Sequence, residues 1–516
     1  MFVGRVKMMN NAEIMPMGYS AEGPEKAVFS RREMILSFAA VGLGYGFIKC
    51  FAAPFIINGR MGLGAAALLI FTVIFGFCFK KGKKITPSKA LRTVLCILFA
   101  ANIFISANLL IQTLCFIFSA MIMIYDSIAD TDGRYEKIRR LFPADMFTAV
   151  FRPFDEIGSC PAAIKSAAEK GSAGKTAANA LLGLAIALPS TIIVGILLMS
   201  ADSGFAEILS SFTDGGLRSL MIFAIQVIIG LPVGFYLFSM YRTHKNETVH
   251  SDDELKNMTS AFRFVPASAA AFSAVPLCVM YVIFFFSQAS YFLSAFVSRL
   301  PADTESYSAY ARQGFFQLCI VSVIDLAVII GINLFSKVNE DGKKSGFLKA
   351  MTVTLCVFTV LLIITAVSKM GMYISVYGLT RLRFYTSWFM LLLGVLFIGI
   401  IISVACEKFN LSKFAVTAFT IMFAALSFSN ADRLIAEYNI GRYLDGSLSS
   451  VDITMFSELS ADAVPAAEKL YGHISSEEEN ALEDIVQRKI NEANNADMRS
   501  ITLSEILAKK YQNENQ

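Results

Sequence analysis

Two ionisable residues stand where a charge is expensive. Lys49 lies in the apolar run Phe47-Ile48-Lys49-Cys50, and Asp325 in Val323-Ile324-Asp325-Leu326. A charge at the centre of a bilayer costs at least about 3 kcal/mol, so each residue is a candidate for ion or proton coupling. A Lys49–Asp325 pair would relieve both burials. The plainer alternatives are a Lys49 that snorkels to the headgroups and an Asp325 that is protonated or hydrogen-bonded to Gln226 or another polar span residue. Other chemistry is sparse. The three His (His244, His250, His473) fall outside apolar runs, and none of the nine Cys has CxxC spacing. Eight of those Cys sit in or at the edge of apolar runs, as small packing residues do. No metal site, disulfide framework, cofactor or catalytic residue is expected, and no nucleophile–base spacing is present.

The elements that must position these residues are membrane spans. The chain has 516 residues, of which 55% are hydrophobic and 17% charged, and its mean hydropathy is +0.58. Soluble domains carry about 25% charged residues. A bilayer core of about 30 Å takes roughly 20 apolar residues in a helix. Runs of that kind occur at 34–57, 61–79, 91–106, 107–125, 178–200, 218–240, 266–296, 313–335, 349–368, 386–405 and 412–428. The split within 91–125 rests on Asn102, Ser106, Asn108 and Gln112, polar residues that favour a tight turn between two short helices. The expected fold is therefore all-α: a polytopic transmembrane helical bundle of about eleven spans with a small C-terminal helical domain.

Domain boundaries follow composition. Residues 1–33 read as a disordered arm, 34–428 as the transmembrane domain, and 429–516 as an acidic helical tail with eight basic and sixteen acidic residues. Tail helices are expected after the caps Asn430, Asp452 and Ser460, and after the capping boxes Ser476-x-x-Glu479 and Thr502-x-x-Glu505. Basic residues crowd the loops 80–92, 126–177, 241–265 and 336–348. By the positive-inside rule these loops and the N-terminus are cytoplasmic, and eleven spans place the tail outside. The basic excess thus reports orientation and not nucleic-acid binding. In the loop 126–177, Phe142, Met146, Phe147, Phe151 and Phe154 lie among Arg139, Arg140 and Arg152. That mix fits either a segment at the lipid interface or a loop packed on neighbouring spans.

Four stretches carry a family resemblance. They are Leu198-Met199-Ser200-Ala201-Asp202, the run from Tyr307 through Tyr310 and Arg312 to Phe316, the run Tyr377-Gly378-Leu379-Thr380-Arg381-Leu382-Arg383, and the run Asn430 to Ile440 continuing to Pro465. Over roughly residues 90 to 470 the chain resembles a bacterial family of polytopic membrane proteins catalogued as a domain of unknown function. The resemblance implies an architecture but no activity, and it implies a neutral polar residue where Asp325 stands. By span parity all four stretches fall on the outer face. There they gather Asp202, Tyr310, Arg312, Tyr377, Thr380, Arg383, Asp432, Tyr438, Asn439 and Arg442, with Tyr307, Tyr373 and Arg381 beside them. Arg offers fixed planar donors, Tyr an apolar ring with a polar tip, and Asp or Asn the orienting acceptors. Such a cluster either docks the acidic tail through Arg–carboxylate pairs or binds a ligand. Three functional classes stay open: an envelope sensor or assembly partner working through a membrane or envelope protein, a secondary transporter, and a membrane enzyme acting on a lipid-linked substrate.

Overall fold

A computed structural model describes residues 29–80, 85–129, 138–140, 142–168, scattered positions between 183 and 205, 216–246, 260, 262–287, 307–338 and 344–514. The chain is all-α. The described residues hold no strand beyond an isolated bridge between Val265 and Ser336. The helices are α1 (Arg31–Ile57), the shorter apolar α2 (Leu63–Phe79), α3 (Pro87–Ile105), α4 (Leu109–Ala129), two short helices α5 (Phe142–Phe151) and α6 (Ser159–Ala168), and α7 (Gly216–Asn246). They continue with α8 (Ala267–Ser287), α9 (Tyr307–Phe335), α10 (Gly346–Tyr377), α11 (Arg381–Ala405) and α12 (Leu411–Phe428). Among the described residues nine of these are long and apolar enough to cross a membrane. This is a multi-pass membrane protein. The expected span at 178–200 lies largely outside the described residues, as do residues 1–28.

Helices are the natural solution here because hydrocarbon offers the backbone no partners, and a helix satisfies its own N–H and C=O groups except at its ends. The ends are capped by short polar side chains. Thr86, Ser345, Thr380 and Asn410 each accept from the backbone N–H three residues on, the ordinary N-cap bond. Ser30 and Glu33 form a reciprocal capping box. The helix therefore begins at Arg31, inside the stretch that composition assigned to the arm.

The polar residues in 91–125 do make the expected turn. Ser106 to Asn108 leave the helix. Asn108 Oδ1 accepts from Ile111 N at 3.2 Å, and Gln112 Nε2 lies 2.8–3.0 Å from the carbonyls of Met61, Ile103 and Ser106. Asn102 Nδ2 donates to Ser427 O at 2.7 Å, tying the end of α3 to the end of α12. In α1 the departure from ideal geometry has an identifiable cause. Pro54 lacks an N–H and its ring crowds the carbonyl four residues earlier. The preceding turn, Ile48–Ala52, widens to a π-helix, in which Ala53 N bonds Ile48 O. The donor due to Lys49 O would have been residue 54, so that carbonyl loses its intrahelical partner.

The described part of the loop after α4 packs on a neighbouring span. Tyr236 OH donates to Val150 O at 3.1 Å, Ser239 Oγ to Pro153 O at 2.5 Å, and Arg242 pairs with Glu156 at 3.8 Å. These contacts seat α5 and its following turn on α7. The Phe154 ring packs on Tyr236 of α7 with centroids 5.1 Å apart, while Phe147 and Phe151 are exposed.

Helices α1 and α7 meet backbone to backbone. A Cβ placed on Gly44 would lie 2.2 Å from Gly230 O, one on Gly230 2.5 Å from Gly44 O, and one on Gly234 2.5 Å from Ala40 O. Ala40-x3-Gly44 and Gly230-x3-Gly234 are thus facing small-xxx-small motifs, the pattern that lets backbones meet where lipid removes the hydrophobic drive. Gly44→Val is expected to lower the thermal midpoint of the purified protein sharply, since overpacking costs about 1–3 kcal/mol even where neighbours can yield and here the neighbour is backbone. Gly42→Val, at a position with nothing within 4 Å of an added Cβ, should leave it nearly unchanged. Equal midpoints for the two variants would refute the close-packed pair.

Candidate functional site

The tail begins without a linker. Ser429 ends α12, and Asn430 turns the chain at φ 50° into α13 (Ala431–Leu444). A one-residue reversal needs the left-handed conformation that Asn tolerates. In that conformation Asn430 makes no side-chain cap bond, contrary to the capping expected of it. Then come α14 (Met455–Glu458), a run of short turns through α15 (Val464–Ala467) to Leu470, α16 (Ser476–Asn494) and α17 (Leu503–Glu514). The box at Thr502 and Glu505 forms as expected. The other box is Ser475 with Glu478, one residue earlier than expected. This register frees Glu479 Oε1 to accept from Gly472 N at 2.5 Å, and it buries Leu482 and Ile485.

The α10–α11 turn is the first docking point. Gly378 ends α10 at φ 74°, where an added Cβ would lie 2.6 Å from Asn439 Oδ1. Asn439 reads the next residue as a strand would: its Oδ1 accepts from Leu379 N and its Nδ2 donates to Leu379 O, both at 2.7 Å. Arg383 folds back on α10, donating to Tyr377 O at 3.0 Å and Gly378 O at 2.5 Å, with its guanidinium 4.2 Å from the Tyr373 ring. Arg442 donates to Ser375 O at 2.8 Å and to Ser447 Oγ at 3.0 Å, holding Tyr438 near its other flank. Arg381 makes a bidentate pair with Asp432, Nε to Oδ1 at 2.8 Å and Nη2 to Oδ2, and Ser460 N donates to the same carboxylate at 2.9 Å. Asp432 is fully buried. Burial alone would raise its pKa, but the Arg381 bonds and charge, with the Ser460 bonds, outweigh it and hold the carboxyl below its usual value.

Asp462 is the second docking point. It accepts from Ser106 Oγ and Ala107 N, each at 3.0 Å, from Ser460 Oγ at 2.8 Å, and from Ser504 Oγ. Ser504 also donates to Ile105 O at 2.8 Å, the last carbonyl of α3. Asn108 Nδ2 reaches Tyr385 OH at 2.9 Å, which joins this point to α11. The third docking point is backbone. Leu63 N and Gly64 N, at the start of α2, donate to Ile501 O at 3.1 Å and Arg499 O at 2.7 Å. A Cβ on Gly62 would lie 2.4 Å from Ile501 O, so the tail can approach only a glycine there. Arg60 pairs with Glu492 at 2.8 Å and Glu505 at 3.3 Å. Arg499 Nη1 donates at 3.3 Å to Lys49 O, the carbonyl that Pro54 leaves without a helical donor.

Of the residues gathered by sequence, Tyr377, Thr380, Arg383, Asp432, Tyr438, Asn439 and Arg442 meet at the α10–α11 turn. Asp202 does not join them; it is exposed and accepts from Gly204 N at 2.9 Å. The side chains of Tyr310 and Arg312, in the first turns of α9, lie outside the described residues. Asp462, Ser106, Ser504, Gly62 and Arg60 were missed as site residues. Asp462 sits within one of the quoted stretches, and Gly62-x-Gly64 before an apolar run was the available signal for a close approach.

Asp325 is fully buried and bonds Tyr281 OH at 2.6 Å on α8 and Thr359 Oγ1 at 2.7 Å on α10. It pairs neither with Lys49 nor with Gln226 among the described residues. Lys49 lies at the tail end of α1, close enough to Asp497 to help the Arg499 bonds hold that carboxyl down at about 2.

Residues 93–470 match the family model described as Domain of unknown function (DUF4153). The chain belongs to that family. No curated protein and no solved structure matches it. The family segment contains the Arg381–Asp432 pair, Asn439, Arg442 and Asp462. It excludes α1, α2, α16 and α17, which supply the third docking point.

Removing Arg381 strands a buried carboxylate. Arg381→Ala is expected to cost about 3–5 kcal/mol, read as a lower thermal midpoint and faster tryptic release of the tail. Arg381→Met with Asp432→Leu should recover most of that loss, because a well-packed apolar pair of similar volume is near neutral. The sign with pH follows from the depressed carboxyl. The pair's contribution is complete above the ordinary carboxylate pKa of about 4 and is lost as pH falls through the lower folded value. Acid release of the tail should therefore begin below about pH 4 in the native protein and be absent in the double variant. An acid transition identical in both would show that Asp432 does not hold the dock.

Proposed function

We propose that this chain is a non-enzymatic protein of the cell membrane, a sensor or assembly partner, and that its C-terminal domain is the recognition surface on the extracytoplasmic side. The supporting observation is that the tail hydrogen-bonds directly to α1 at Lys49, to the start of α2, to the end of α3 and the α3–α4 turn, to the last turn of α10 and to the start of α11. Such a domain is mounted rigidly, and a partner that moves it moves span ends with it. Orientation follows loop charge, with the N-terminus cytoplasmic. The start of α4 lies at the tail, and the region just past its end packs on the far end of α7. The eleven spans expected from sequence then put the tail outside. The outer surface of α16 presents Glu477, Glu483 and Asp484 to solvent, which suits a partner with a basic surface.

Transport is the second reading, and Asp325 favours it. A buried carboxyl shared by three spans is the group a proton-coupled carrier would use. Ion-driven uptake by proteoliposomes that Asp325→Asn abolishes would establish it. Unchanged thermal stability and no gradient-dependent flux in either protein would leave the recognition reading standing alone.

The side of the tail is open to direct measurement. Met498→Cys, at an exposed position in the tail, in a background where the exposed Cys78 and Cys406 are Ser, should react with a membrane-impermeant maleimide in intact cells. Labelling only after lysis overturns the orientation and with it the outward recognition surface.

A further inference from the structure

A cavity lies at the opposite face from the tail. It encloses about 440 Å³ between the end of α9, the start of α10, the end of α11 and the start of α12, within the range of small-molecule sites. Its charged lining is Arg140, Lys344, Lys349 and Glu407, three cations against one carboxylate among the described residues. Glu407 is already engaged: Lys349 Nζ reaches its Oε1 at 3.1 Å, and Arg140 Nη2 donates to its backbone carbonyl. Among the described residues only Lys349 pairs with the Glu407 carboxylate, and the described bonds of Arg140 and Lys344 go to neutral acceptors. Lys344 Nζ bonds Asn333 Oδ1 at 2.5 Å and Asn333 O at 3.3 Å. Burial, then the nearby Arg263 and Lys349 charges, push its pKa down to about 8.

The backbone adds to the same field. The first turns of α10 and α12 both line the cavity, through Leu348 and Lys349 and through Leu411 and Ser412. The Leu348 and Lys349 N–H groups are already bonded to Ser345, so what these termini add is the positive end of the helix dipole. The segment that brings Arg140 is held there: Ser412 Oγ donates to Arg140 O at 2.7 Å, and Asn410 Nδ2 to Ile138 O at 2.8 Å. The remaining wall mixes apolar Val404 and Phe409 with the hydroxyls of Thr352 and Ser403. The recess thus joins cations to hydrocarbon at a level set by the span ends.

We propose that the recess between α9, α10, α11 and α12 binds a phosphate group through Lys344, Lys349 and Arg140. A tetrahedral anion with several acceptor oxygens suits convergent ammonium and guanidinium donors beside helix N-termini. The apolar side chains of Val404, Phe409 and Leu411 beside these cations, at the ends of spans, make an anionic phospholipid headgroup the favoured source, as in basic pockets between spans. Inorganic phosphate shares the chemistry and is separated from it by experiment. The inference is independent of which side the tail occupies and of any partner the tail binds.

The test uses the full chain in nanodiscs of phosphatidylcholine, with and without phosphatidylglycerol, and a separate titration with inorganic phosphate. The expected result is a higher thermal midpoint with phosphatidylglycerol and its retention through gel filtration into detergent. Lys344→Gln with Lys349→Gln should reduce the retained lipid by roughly ten-fold or more, the effect of losing charge-assisted bonds. Arg140→Gln tests the same site from a different segment, and Lys344→Arg should keep binding. Midpoints of the variants in pure phosphatidylcholine report folding. A midpoint raised by phosphatidylglycerol but not by phosphate assigns a lipid headgroup, and one raised by both assigns a phosphate site open to water. No response to either, or a phosphatidylglycerol response unchanged in folded Lys344→Gln/Lys349→Gln, overturns the proposal.

Discussion

A helix end has backbone groups with no partner inside the helix, and near hydrocarbon water cannot be relied on to supply one. That constraint organises this protein. At one face the ends of the spans are satisfied not by solvent but by the C-terminal domain. It provides carbonyls for the N–H groups that open α2, a carboxylate for Ala107 N at the α3–α4 turn, a hydroxyl for the last carbonyl of α3, and guanidinium groups for Lys49 O and Ser375 O. The tail is less a separate module than a composite cap. Its two fully engaged carboxylates, Asp432 and Asp462, do different work. The first is balanced by a charge, Arg381, while the donors to the second are hydroxyls and a backbone N–H.

Much of the fold was legible because membrane insertion is written in composition and run length. The turn at Ser106 to Asn108 was readable too, since four polar residues so close together in an apolar run are poorly accommodated by lipid and well accommodated by a chain reversal. Docking geometry was less so. Arg381 and Asp432 were both visible, but their pairing depends on α13 starting immediately after α12 at a left-handed Asn430, a feature sequence marks only weakly. Ser475 and Ser476 each have Glu three residues on, so local pattern alone cannot choose the register; burial of Leu482 and Ile485 chooses it. Lys49 and Asp325 looked like partners because each was expensive alone. The structure relieves them separately, Asp325 with hydroxyls from neighbouring spans and Lys49 at the tail-facing end of α1.

The family segment and the rest of the chain meet at that same cap. Residues 93–470 hold the Arg381–Asp432 and Asp462 docking points. The parts on either side, α1 with α2 and α16 with α17, hold on to each other through Arg60, Gly62, Gly64 and Arg499. The bundle is therefore closed by contact between its two flanks, and the most distant stretches of sequence are neighbours in space.

That closure has a consequence in time. The bond from Arg499 to the Lys49 carbonyl spans 450 residues. At roughly 5–20 residues per second of synthesis, α1 and α2 are inserted for about 20–90 s before their cap exists. During that interval the π-turn carbonyl and the open start of α2 must be served by water, lipid headgroups or an insertion factor. The α1–α2 hairpin is thus completed by residues made 450 positions later, and truncation before Arg499 leaves a defect in a distant part of the sequence.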